Sequence, residues 1–95
     1  MQKRQVRFSP RFNQRFDELQ AAGRLNLVRA QALADAIAQL AVDPFNPDGV
    51  LDDWPEPHWI KICRATGGVD TGLRVVYLLH EDGSVRADDL VLVPV

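Results

Sequence analysis

The sequence predicts an α+β domain of order β-αα-βββ, a helical hairpin packed on a four-stranded, mainly antiparallel sheet. Three observations predict it. Apolar residues recur at four- and three-residue spacings in two stretches of the first half, Phe12-Phe16-Leu19 and Leu33-Ile37-Leu40, which is the helical period. In the second half, residues 59–64, 73–80 and 85–95 are rich in aliphatic and β-branched side chains and are separated by Gly-, Asp- and Ser-containing breaks. One short alternating segment, Gln5-Val6-Arg7-Phe8, precedes both helices. Helices grouped on one face of such a sheet make an α+β domain.

The first strand, residues 5–8, turns Val6 and Phe8 inward. Ser9-Pro10 then starts a helix, because serine accepts a hydrogen bond from an orphan amide and proline suits the first helical position. This helix runs to about residue 22 and stops at Gly23, which suits a left-handed closing position. The second helix spans Asn26 to Ala41, with Asn26 as cap and with Ala30, Ala34, Ala38 and Ala41 allowing close approach. It ends before Asp43-Pro44, since the residue preceding proline is driven out of helical geometry.

Residues 43–58 hold four of the six prolines and five of the thirteen acids, a composition for an ordered loop rather than a helix or strand. Phe45, Leu51 and Trp54 are expected to pin it, with Trp59 beside them. The strand at 59–64 follows, then a turn around Gly67-Gly68 and Asp70-Thr71-Gly72, and the central strand 73–80. Glu81-Asp82-Gly83-Ser84 makes a tight Asp-Gly turn into the last strand, in which Asp88-Asp89 marks an irregular or exposed point.

Ninety-five residues form one domain. One cysteine excludes an internal disulfide, and two histidines with that cysteine leave no CxxC or HExxH metal motif, so no metal or cofactor is expected. No apolar run approaches the roughly 20 residues of a membrane span, and no secretory leader is visible, which makes the cytoplasm the expected location. The net charge of −2 hides an asymmetry: residues 1–29 carry seven cations against two acids, and the remainder four cations against eleven acids. Arg7, Arg11 and Arg15 in the basic part are candidates for a nucleic-acid backbone, or they are simply solvated helix and strand faces.

Arg74 is the residue that most needs an explanation. It sits in Leu73-Arg74-Val75-Val76-Tyr77-Leu78-Leu79, where alternation puts Arg74, Val76, Leu78 and His80 on one face and Leu73, Val75, Tyr77 and Leu79 on the other. A cation among valines either lines a site or pairs with an acid, for which Asp82, Asp88 and Asp89 are the candidates. His58 and His80 read as surface residues at a strand entrance and a turn. Cys63 reads as a small buried side chain.

The β-αα-βββ order, the Asp43-Pro44-Phe45 turn, the Trp59 to Arg64 strand and Arg74-Val75-Val76-Tyr77 together resemble the RelE/ParE toxin superfamily of toxin–antitoxin systems, including its phage-derived HigB-like branch. The resemblance implies a type II toxin acting as a ribosome-dependent mRNA endonuclease. Such enzymes use no metal: the RNA 2′-hydroxyl attacks the adjacent phosphate while basic side chains stabilise the charge that develops. It also implies that Arg74 contacts phosphate, that Arg64 and Lys61 are further basic site residues, and that a cognate antitoxin is the partner, with ribosome and mRNA as targets. Two features depart from the family. The chain ends at Leu92-Val93-Pro94-Val95 without a basic tail, and Ile60 and Ile62 stand on the face of Arg64 where lysines alternate in the family. These departures fit an alternative, a catalytically inactive RelE-like module or phage or plasmid regulator that binds another protein.

Overall fold

The computed structural model describes residues 3–52 and 56–94. Its elements are β1 (Val6–Phe8), α1 (Pro10–Ala21), α2 (Leu27–Val42), β2 (Gly49–Leu51), β3 (His58–Ala65), β4 (Val69–Leu79) and β5 (Val85–Leu92), with a 3₁₀ turn at Thr66–Gly68. The α+β class and the helical hairpin agree with the sequence. The sheet does not match in detail: it has five strands in the order β1-β5-β4-β3-β2, and it is mixed, because β1 runs parallel to β5 while every other pair is antiparallel. The added strand, β2, lies inside the proline-rich stretch expected to be loop. Its three residues form a strand because the outer edge of β3 offers unpaired backbone groups, a condition invisible in local composition.

The helix ends follow their predicted chemistry. Ser9 Oγ accepts from the Phe12 amide at 3.1 Å, and Asn26 Oδ1 from the Arg29 amide at 2.9 Å. After α1, the Gly23 and Arg24 amides donate to the Gln20 and Leu19 carbonyls, a closure that requires the positive φ of 70° at Gly23. The hairpin turn also forms, with the His80 amide donating to Ser84 and Gly83 at φ 86°.

Both helices lie on one face of the sheet. Leu73, Val75 and Tyr77 of β4 are fully buried beneath Phe12, Leu19, Leu33 and Leu40, joined by Val85, Ala87 and Leu90 of β5. The close-approach alanines are not the expected ones. Ala32 and Ala36 are buried, whereas Ala30, Ala34 and Ala38 are exposed, because the buried stripe of α2 runs through 32, 36 and 40 beside Leu33. Phe8, expected inward, is 44% exposed and packs its ring 5.0 Å from Phe12. Phe45 is 54% exposed and, with the Arg4 guanidinium 4.9 Å over its ring, does little to pin the 43–58 segment. Buried Pro44 pins it, its carbonyl accepting the Tyr77 hydroxyl at 2.8 Å. Trp59 stacks edge-on to Tyr77, while Trp54 and the terminal Val95 lie outside the described residues. Among the described residues, no helix is long and apolar enough to cross a membrane.

Candidate functional site

The face of the sheet opposite the helices is built by alternation. Register sets Ile60 against Val76 and Ile62 against Arg74, and across the next pair Arg74 against Val91 and Leu78 against Arg86. Lys61 instead aligns with buried Val75, so it lies on the other side of the strand from Arg74, and its Nζ reaches the Asn46 carbonyl at 3.5 Å.

Arg74 has a partner that spacing alone does not suggest. Four residues along a regular strand span about 13 Å, too far for a tight pair. Here β4 is irregular: the steps from Asp70 to Arg74 face only those from Ile62 to Arg64 on β3, and Gly72 takes φ 85° within the irregularity. The contraction brings Asp70 onto the guanidinium in a two-pronged pair, Nη1 donating to Oδ1 at 2.7 Å and Nη2 to Oδ2 at 2.8 Å. Asp70 Oδ1 also accepts the Gly72 amide at 2.8 Å. The Arg74 hydrogen bonds, followed by that from Gly72, hold the Asp70 carboxyl below its usual range. The pair is not sealed, with side-chain exposures of 19% for Arg74 and 31% for Asp70. Arg64 stands opposite Asp70 in the ladder, with Nη2 3.6 Å from Asp48 Oδ1 and Nη1 donating to the Gly68 carbonyl. The Arg64 guanidinium is thus taken up by Asp48 and the Gly68 carbonyl, while the Asp70 carboxylate belongs to Arg74.

The N-terminal arginines form a different group. Arg11 Nε lies 3.2 Å from Asp89 Oδ2, and Arg15 Nε lies 3.9 Å from Asp89 Oδ1 while donating to the Leu90 carbonyl and pairing with Glu18. Arg7 is exposed and donates to Gln5 Oε1 at 3.4 Å. Arg11 and Arg15 thus gather on Asp89 of β5, and Arg74 on Asp70 of β4.

A third group overturns two expectations. His58 is buried, not at the surface, and Asp88 and Asp89 are buried too, although the strand is irregular there as expected. The bulge opposite Val76-Tyr77 places Asp88 on His58, with Nε2 2.6 Å from Oδ2, and the other ring nitrogen lies 2.8 Å from the Glu56 carbonyl. Arg86 grips the same carboxylate through Nε and Nη2, and its Nη2 lies 3.8 Å from Glu56 Oε1. Burial pushes the Asp88 carboxyl up, but the bonds from Arg86 and His58 outweigh it and leave the group below its usual range. With carboxylate and carbonyl taking its two nitrogens, His58 is committed to holding the entrance of β3 against β5. Thirty residues separate the partners, and the sequence signal is Arg86, Asp88 and Asp89 interrupting an apolar strand.

Neither the one thiol nor the one phenol is activated. Burial pushes the Cys63 thiol up to about 12 and the Tyr77 phenol to about 12. Among the described residues, no group of three His, Cys, Asp or Glu side chains is placed to hold a metal ion. Comparison with protein-family models, curated proteins and solved structures finds no match for the chain.

Proposed function

We propose that this chain is a protein-binding module on a RelE/ParE-like scaffold, working in the cytoplasm through the helix-free face of its sheet. The observation that carries the reading is the closure of Arg74 by Asp70. A phosphate-cleaving site needs cations preorganised for charge that develops during reaction, and a guanidinium already forked onto a carboxylate is not in that state. Around it, the half-buried side chains Ile60, Ile62, Leu78 and Val91 present apolar surface, the kind that another polypeptide covers. By the family resemblance, that partner is a cognate antitoxin.

The mRNA endonuclease is the second reading, supported by one observation: the Arg74–Asp70 pair lies on the helix-free face and stays in contact with water. Induced expression separates the two. The binding reading expects unimpaired growth and intact message. Growth arrest with ribosome-dependent message cleavage, both abolished by Arg74→Ala, would overturn it in favour of the nuclease.

A further inference from the structure

The outward face of α2 is not composed like one that meets water. At 3.6 residues per turn, Leu27, Ala30, Gln31, Ala34, Ala38, Ala41 and Val42 lie within about 60° of one line along the helix. Only Gln31 among them is polar and none is charged, whereas the solvent side of a surface helix normally carries the charged residues. Leu27 is 72% exposed and Val42 42%, and Ala30, Ala34 and Ala38 between them are exposed as well. We infer that this face is the contact between two copies of the chain, whose α2 helices pack antiparallel across a two-fold axis at Ala34. The inference goes beyond the binding role proposed above and does not rest on it, because that role uses the other side of the sheet.

Three features select a second copy in that orientation. The pattern is its own complement: about Ala34, position 27 meets 41 and position 30 meets 38, so each Leu27 lands on Ala41 of the other copy. The alanines between them let the helix axes approach to about 8 Å. Charge then fixes the direction. Exposed Arg24 precedes the helix and exposed Asp43 caps its end, so antiparallel copies set each Arg24 beside an Asp43, whereas parallel copies set like against like. The ends of α2 are also charged against its own dipole. Its first turn holds Arg29 and no acid, and its last turn holds no base and closes on Asp43. An antiparallel neighbour corrects this by bringing the negative end of one helix to the positive end of the other. The contact is small, because a helix of 16 residues is only about 24 Å long. It falls short of the roughly 1,200 Å² that a standard interface buries, so the dimer is weak and reversible.

Sedimentation equilibrium of the full chain, from about 5 µM to about 500 µM, tests it. The expected result is a mass that rises from monomer toward dimer with concentration. Ala34→Glu and Ala34→Lys put good helix formers at an exposed position, so both variants fold, and each stays at monomer mass because like charges meet on the axis. An equimolar mixture of the two regains the rise, since the charges on the axis are then opposite. Orientation is read by oxidative cross-linking, in which buried Cys63 does not compete. Ala34→Cys couples to itself, while Leu27→Cys, held far from its own copy in the antiparallel pair, does not. A wild type that stays monomeric overturns the inference and leaves the face to a helix of another polypeptide. Dimerisation undiminished in Ala34→Glu, or cross-linking of Leu27→Cys as ready as that of Ala34→Cys, overturns it equally. The growth assay above reads the other side of the sheet, so either proposal can fail without the other.

Discussion

Replacing Asp88 by alanine removes the carboxylate on which His58 and Arg86 converge. His58 is 2% exposed and Asp88 6%, so both partners of that hydrogen bond are out of water. Deleting one member of a buried pair costs about 3–5 kcal/mol, because the partner is left desolvated and unmatched. The lower end applies here, since the Arg86 side chain is 36% exposed and recovers water when released. A loss near 3 kcal/mol is a large part of the roughly 5–15 kcal/mol that stabilises a domain of this size. Urea unfolding followed by tryptophan fluorescence reads it directly: with a slope of about 1–3 kcal/mol/M, the midpoint falls by at least about 1 M. A cycle of Asp88→Leu, His58→Leu and His58→Leu/Asp88→Leu isolates the pair, and the double variant recovers part of the loss because neither partner of the buried bond is left facing an empty position. A midpoint unchanged by Asp88→Ala, or single losses that simply add in the double variant, would refute the account of a buried anchor between β3 and β5.

Three further outcomes are expected. Asp70 and Asp88 both titrate below the ordinary carboxylate range in the folded chain, so their contribution to stability is present above about pH 4 and is lost as pH falls through their folded values; acid denaturation monitored by circular dichroism should lose this pH dependence when both are replaced by Asn. Leu40→Ala empties a fully buried position where α2 meets the sheet and should cost about 2–5 kcal/mol in the same urea assay. Cys63 is fully buried with its thiol pushed up to about 12, so at pH 8 iodoacetamide should label it only at the rate of unfolding, and rapid labelling of the folded protein would contradict the packing.

The helical hairpin was legible because its signals are local. Ser9-Pro10, Asn26 and Gly23 act within four residues of themselves, and the Phe12-Phe16-Leu19 and Leu33-Ile37-Leu40 spacings report a face whichever partner covers it. The alternation of β4 was equally readable: Leu73, Val75 and Tyr77 face the core, and Arg74 faces away. The close-packing alanines of α2 were misjudged although the same pattern held them: Leu33, Ala36, Ile37 and Leu40 share one face, so Ala36 lies on it and Ala34 does not.

By itself, the sequence determined the α+β class, the positions of the helices and central strands, and the choice of Arg74 as the residue to explain. Tertiary structure alone decided that Asp70 rather than Asp82, Asp88 or Asp89 pairs with it, that His58 is buried on Asp88, and that Gly49–Leu51 joins the sheet. The reason is physical. Caps, turns and periodicity depend on residues within a few positions of one another, whereas an ion pair across an irregular strand or a ladder on a free edge depends on where the chain bends, and a shift of one residue at a bulge exchanges the faces of everything beyond it.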